Sequence, residues 1–309
     1  MTRRRRPWVA AVLSLALPGL GQLYAGSPAA ALFAYAATVC AAALMGALWL
    51  WAPGGPVPIL LGFVVAVVTY LGVAIHAWLV AAAQPAGFEL RPYNRWYVYL
   101  GVYVLVSLIL GSSLQDQLKQ RVEAFRIPSG AMEPTLLIGD YLYVLKTRAA
   151  RATLTHRSIV VFESVDEPGL KVIKRVLGLP GDTVSMSAGS LHRNGQRLEE
   201  PFVIHSDKTR SEDAEQRGRM RSWQVAHTVA LDTTSYAPDL QAWGPLVVPR
   251  DSFFALGDNR DASYDSRYYG FIPMSHVLGR PRVIYFSLEK DTAGSITGLR
   301  WARIGARVK

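Results

Sequence analysis

Charge is placed so unevenly along this chain that it needs two solvents. Up to Ser113 there are six basic residues (Arg3, Arg4, Arg5, Arg6, Arg91 and Arg95) and one acid, Glu89, whereas the remainder holds 27 of the 33 basic and 22 of the 23 acidic residues. The first part reads as a membrane region, residues 1–114, and the second as a water-soluble domain of ordinary composition, residues 115–309. The net charge of +10 is divided between membrane flanks and a mixed-charge domain with no long Lys/Arg stripe, which argues against nucleic acid as a partner. Cys40 is the single cysteine and lies in an apolar run, so no intrachain disulfide is possible; one Cys and six His show no zinc-ligand spacing, and neither metal nor cofactor is expected.

Four apolar stretches precede Gln115: Trp8 to Ala25, Ala29 to Trp51, Val57 to Ala83 and Trp96 to Leu110. A helical span needs about 20 apolar residues, which the second and third supply outright. The fourth is short, and Trp96, Tyr97, Tyr99 and Tyr103 give it an interfacial aromatic belt. The first contains Leu17-Pro18-Gly19-Leu20-Gly21, and such a break suits an interfacial or re-entrant element better than a straight span. Positive charge decides the topology. With three spans, Arg3 to Arg6 and the Arg91/Arg95 loop (Gln84 to Arg95) both lie in the cytoplasm, and everything after Leu114 lies outside. His76, in the third stretch, reads as a packed neutral side chain, because no charged partner accompanies it in a neighbouring span.

From Phe125 the pattern changes to short strand-like runs: Tyr141 to Leu145, Ser158 to Phe162, Val172 to Leu177, Thr183 to Met186, Phe253 to Leu256 and Val283 to Ser287. Turn dipeptides such as Pro180-Gly181 separate them. This predicts an all-β sandwich or barrel-like domain, interrupted by a hydrophilic, mobile surface loop over about 205–221.

Within that domain three clusters stand out: Ile127-Pro128-Ser129-Gly130-Ala131-Met132-Glu133-Pro134-Thr135-Leu136, Val172-Ile173-Lys174-Arg175-Val176-Leu177-Gly178, and Gly257-Asp258-Asn259-Arg260-Asp261-Ala262-Ser263-Tyr264-Asp265-Ser266-Arg267. Singly they are a turn, a strand lysine and an Asx-rich loop. Together, in this order and after membrane segments, they resemble the type I signal peptidases (leader peptidases), a serine–lysine protease family. The resemblance runs from about Phe125 to the C-terminus and includes Gly298-Leu299-Arg300 and Arg303-Ile304-Gly305. Two departures are minor: the apolar segments are more numerous than the family's usual one or two anchors, and His156-Arg157-Ser158 replaces a common Gly-Asp turn.

The resemblance implies an α-helical transmembrane region followed by an all-β signal-peptidase-type catalytic domain with a variable inserted loop region. The implied activity is removal of N-terminal signal peptides from exported proteins after Ala-x-Ala sites. The implied setting is the bacterial inner membrane with the catalytic domain on the periplasmic side. Its partners would be signal peptides of secreted precursors, the lipid bilayer and, as a candidate, the secretion machinery. Lys174 corresponds to the general base. An unperturbed lysine, with a pKa of about 10.4, is too basic for that task, which needs roughly 7 to 8; the apolar neighbours Val172, Ile173 and Val176 can supply the desolvation. Arg175 should point to the opposite face. Ser263 corresponds to the hydroxyl that orients the lysine, Ser129 to an oxyanion donor, and Asp265 with Arg267 to a supporting ion pair. Phe125, Ile127, Pro128, Met132, Leu136, Leu142, Val172 and Ile173 correspond to substrate-pocket positions.

One departure bears on activity. The family nucleophile follows the glycine of the first cluster, and in this chain that position is Ala131. An alanine methyl cannot attack a carbonyl, and loss of the serine costs about a millionfold in turnover. Ser129, two residues away, would present a displaced hydroxyl to Lys174 and is a poor substitute. Ala131 therefore marks either a knock-out that traps substrate or avoids self-cleavage, or a natural pseudoenzyme acting as a membrane-anchored signal-peptide binding module. The retained Lys174, Ser129 and Ser263 favour the first.

Overall fold

The computed structural model describes residues 5–51, 55–85, 87–109, 120–147, 154–206, 213–228, 234–290 and 294–309. Two compact units meet between Lys119 and Gln120; the expected boundary at 114/115 lies outside the described residues.

The first unit is helical. Helices α3 (Pro28–Trp51) and α4 (Pro56–Ala82) contain no charged residue and are long and apolar enough to cross a membrane. At 1.5 Å per residue they reach about 36 and 40 Å, against roughly 30 Å of hydrocarbon. Their outer apolar side chains are bare, with Phe33 76% and Val57 70% exposed, which in water would be an aggregation liability. α5 (Trp96–Ile109) is a shorter apolar helix, and its continuation lies outside the described residues. The first apolar stretch divides into α1 (Pro7–Ala16) and α2 (Leu20–Tyr24) around a left-handed Gly19. These two fold back on each other: Arg6 N donates to Tyr24 Oη at 3.1 Å, so the pair starts and finishes at one end. Gly21 is required there, because a Cβ would sit 2.0 Å from the Ala10 carbonyl oxygen. Buried Ser14 of α1 and Gln22 of α2 share a hydrogen bond, and Gln22 Nε2 continues to the Val73 carbonyl and to His76 of α4, whose side chain is exposed rather than packed as expected. His76 thus finds a neutral amide partner.

The second unit is built on antiparallel strands. β1 (Val122–Arg126), β2 (Asp140–Leu145), β3 (Ile159–Glu163), β4 (Lys171–Gly178), β9 (Ser252–Leu256), β10 (Ile272–Pro273), β11 (Val277–Lys290) and β12 (Ile296–Leu299) form one eight-stranded sheet. Its order is β1-β2-β11-β3-β4-β9-β10, with β12 on the far end of β11. A four-stranded sheet, β7-β6-β5-β8, carries β5 (Thr183–Ser187), β6 (Ser190–Arg193), β7 (Gln196–Arg197) and β8 (Trp243–Val247). Apolar alternation explains β2, which buries every second residue, Asp140, Leu142 and Val144, whereas β3 and β9 each bury four consecutive residues. Two features place the groove described below. Among the described residues β1 pairs only with β2, and β4 pairs with β9 only from Arg175 onward, so Lys171 to Lys174 have β3 on one side and no described strand on the other.

The hydrophilic stretch 205–221 is not loop throughout. A helix, α6 (Ala214–Gln224), starts at Asp213, whose carboxylate caps Gln216 N. It was illegible because only Met220 and Gln224 are buried, too few to give a 3.6-residue apolar period. Residues 207–212 lie outside the described residues.

Candidate active site

The three clusters converge on β4, on the face of Lys174 and on the face of Arg175 alike. Lys174, only 4% exposed, donates from Nζ to Ser263 Oγ at 2.9 Å. Its pKa is pushed down to about 8, mainly by burial; Asp265 pulls it back up, Arg267 adds to the fall and Asp258 opposes it. The lysine is thereby poised near the range a general base needs.

Ser263 is held by a buried ion pair. Asp265 takes Arg267 side-on at 2.8 and 2.9 Å and accepts Gly257 N at 3.0 Å, while Arg267 Nη2 also donates to the carbonyls of Arg260 and Ser263. Burial acts to raise the Asp265 carboxyl, but the Arg267 charge and hydrogen bonds, Lys174 and the Gly257 N–H outweigh it and hold it below its ordinary value. From the other side, α6 donates Trp223 Nε1 and Gln224 Nε2 to the Arg267 carbonyl.

Arg175 points away from Lys174, as strand alternation requires, and there it does something the sequence did not disclose. Its Nε and Nη2 grip Asp258 at 2.7 Å each, and Thr135 Oγ1 donates to the same carboxylate at 2.5 Å. One residue from each cluster therefore meets in a single buried knot. The signal in the sequence was Arg175, a second charge directly beside Lys174. A second tie is closer still: Asn259 N donates to the Ala131 carbonyl at 3.2 Å. Gly257 lies so near that a Cβ would come within 2.5 Å of that oxygen and 2.3 Å of Ser263 Oγ. Beneath the first cluster, Arg303 grips Asp140 and donates to the Thr135 carbonyl at 2.8 Å, which gives the C-terminal motif a structural task.

Ala131 sits in a 3-10 turn, Gly130–Met132, entered through extended Ser129. Ala131, Ser129 and Lys174 line one groove of about 430 Å³ between the free edges of β1 and β4. Of the expected pocket residues, Phe125, Ile127, Pro128, Met132, Val172 and Ile173 line it. Leu136 and Leu142 do not: both are fully buried, packed behind Ile127 and Met132 in the core, Leu142 from an inward position of β2 and Leu136 from the segment that precedes it. The groove has walls the sequence reading omitted, among them Leu170, Tyr264 and Tyr269. The Tyr269 hydroxyl is buried with no hydrogen-bond partner among the described residues, and burial raises its pKa well above the ordinary tyrosine value.

An antiparallel β domain holding a buried lysine of lowered pKa against a serine, beside an apolar groove with free strand edges, defines the serine–lysine class of endopeptidase site. Residues 95–286 match the family described as signal peptidase, peptidase S26, and the chain belongs to that family, whose reaction is the removal of signal peptides. It is 32% identical over 207 residues to the probable signal peptidase I-2 of Synechocystis sp., covering 65% of this chain and 78% of that protein. It is 34% identical over 218 residues to the signal peptidase I of Leptolyngbya laminosa (67% and 88%), and 29% identical over 197 residues to that of Bacillus licheniformis (63% and 90%).

Proposed function

We propose that this chain captures signal peptides in the groove between β1 and β4 and, as it stands, does not cut them, because Ala131 occupies the place of the nucleophile. The observation that carries this reading is the buried Lys174–Ser263 hydrogen bond in the groove that Ala131 lines. An extended substrate adds its backbone to the free strand edges, so affinity comes from main-chain hydrogen bonds and selectivity from alternate side chains.

With serine at 131 the chemistry would run as follows. Neutral Lys174 takes the hydroxyl proton as the oxygen bonds to the scissile carbonyl carbon. The Ser129 hydroxyl and the residue-131 N–H stabilise the oxyanion, one such donor being worth roughly 3 to 4 kcal/mol. The Lys174 ammonium then protonates the leaving amine, and water hydrolyses the acyl-enzyme. Ser263 orients the amine; Asp265 and Arg267 position Ser263 and touch no substrate. Ile127, Met132, Val172 and Ile173 leave shallow subsites, which supports small residues at the first and third positions before the cut, the Ala-x-Ala pattern. The bacterial inner membrane and an extracytoplasmic catalytic unit belong to the same reading.

The test is Ala131→Ser. It should restore cleavage of a signal-peptide substrate after Ala-x-Ala, and Lys174→Met should abolish it again. Leu or Phe just before the cut should lower kcat/KM at least about tenfold. An Ala131→Ser protein that folds and binds peptide yet stays inert would remove the catalytic reading.

A further inference from the structure

A second feature that calls for a ligand lies in the helical unit. Arg5 is 7% exposed, and its Nε and Nη2 have no hydrogen-bond partner among the described residues. Its guanidinium carbon lies over the rings of Tyr24 and Phe88, 4.5 and 4.8 Å from their centroids. The rings offset part of the cost of burying the charge but offer no lone pair to the two N–H groups. Nε and Nη2 form one edge of the guanidinium, the fork that takes a carboxylate or phosphate side-on. In the β unit the same fork holds an acid at Arg175 (Asp258), Arg267 (Asp265) and Arg303 (Asp140). Arg5 has no such neighbour to draw on: from Met1 to Ile109 the sequence contains one acid, Glu89, which is exposed and does not line the cavity into which Arg5 points.

That cavity, of about 1310 Å³, is lined by Arg5, Arg6 and Arg95 together with Trp8, Trp96 and Tyr97, among others. Trp8 and Trp96 are 54% and 73% exposed, and tryptophans presented beside long apolar helices sit at headgroup depth. Three cations at that depth select negative charge. A diffusible phosphate would satisfy the fork but would gain nothing from the bare apolar flanks of α1 and α5, whereas a lipid fills both.

We propose that this cavity binds the phosphate of an anionic phospholipid headgroup, anchored on the buried Arg5 fork with Arg6 and Arg95 at its rim. The site is separate from the groove and stands whether or not the catalytic reading holds.

The test uses the full chain in neutral detergent, with melting followed as phosphatidylglycerol, phosphatidylcholine or inorganic phosphate is added. Phosphatidylglycerol should raise Tm in a saturable way, and the other two should not at equal concentration. Arg5→Lys keeps the charge and loses the fork, and should weaken the apparent affinity for phosphatidylglycerol at least about tenfold. Should that variant fail to fold, the exposed pair Arg6→Gln with Arg95→Gln should weaken it by about the same factor. An equal shift with phosphatidylcholine would make the effect unspecific, a full shift with inorganic phosphate alone would assign the site to a free anion, and an unchanged phosphatidylglycerol response in the variants would place the lipid elsewhere. Each of the three overturns the proposal.

Discussion

Lys174 is 4% exposed and its amine loses its proton at about 8 rather than 10.5. That difference is equivalent to about 3 kcal/mol of stability withheld while the lysine is charged. The folded-state value lies below the unfolded one, so the unfolded chain binds the proton more tightly. The penalty is complete below pH 8, shrinks as pH rises and is gone above 10.5. Lys174→Met removes it but leaves Ser263 short of a partner, at about 1 kcal/mol. The variant should therefore melt above its parent at pH 7, with the gap narrowing toward pH 10; a gap independent of pH would mean that the amine is not strained. The same titration sets the rate: in the Ala131→Ser protein, kcat/KM should climb with pH through an apparent pKa near 8, because only neutral Lys174 accepts the proton. Gly257 is another residue at which a few atoms decide the outcome. Its missing Cβ makes room for the Ala131 carbonyl and Ser263 Oγ, so Gly257→Ala should separate the first and third clusters. A displacement of about 1 Å can cost a hundredfold in rate, and kcat of Ala131→Ser,Gly257→Ala against Ala131→Ser measures it.

Short runs of strand-forming residues were legible. β2, β3 and β4 fall within a residue or two of the runs that announced them, although only β2 alternates in burial. β11 did not. Its expected core, Val283 to Ser287, is the middle of a 14-residue strand, and Gly279, Arg280, Pro281 and Arg282 hid the rest by breaking the alternation. Bulges absorb those residues as the strand passes from β3 to β2 and then to β12. α6 was hidden for a different reason: its contribution is polar. Gln224 is fully buried, donating to the Arg267 carbonyl and accepting from Tyr236 Oη, contacts that no hydropathy pattern encodes. The same limit concealed the Arg175–Asp258–Thr135 knot and misassigned Leu136 and Leu142, since a motif gives residue types and not the face each one takes. If α6 props the third cluster, Gln224→Ala should lower Tm more than loss of the helix cap by Asp213→Ala. A buried group left unpaired costs about 1 to 3 kcal/mol and a cap about 1. Equal shifts would reduce α6 to a surface ornament.

For the chain as a whole the open quantity is sidedness, and the helical unit contains the argument for it. α1 and α2 begin and end together at Arg6 and Tyr24. The loop before α5 joins that same end: Asn94 Nδ2 donates to the Leu23 carbonyl at 3.0 Å, Tyr93 Oη to the Gly26 carbonyl at 3.0 Å, and Arg95 shares a cavity with Arg5 and Arg6. Arginines on short loops are retained in the cytoplasm. If both arginine groups belong to one end, the α1–α2 pair does not cross. α3 and α4 then cross out and back, and α5 starts inside. We expect a cysteine introduced at Gln84 in a chain carrying Cys40→Ser to resist a membrane-impermeant thiol reagent in intact cells and to react after lysis. A cysteine at exposed Arg197 of the β unit should react in both. Labelling of the Gln84 site from outside would require α1–α2 to span, and would put the first arginine cluster and Arg95 on opposite sides of the bilayer.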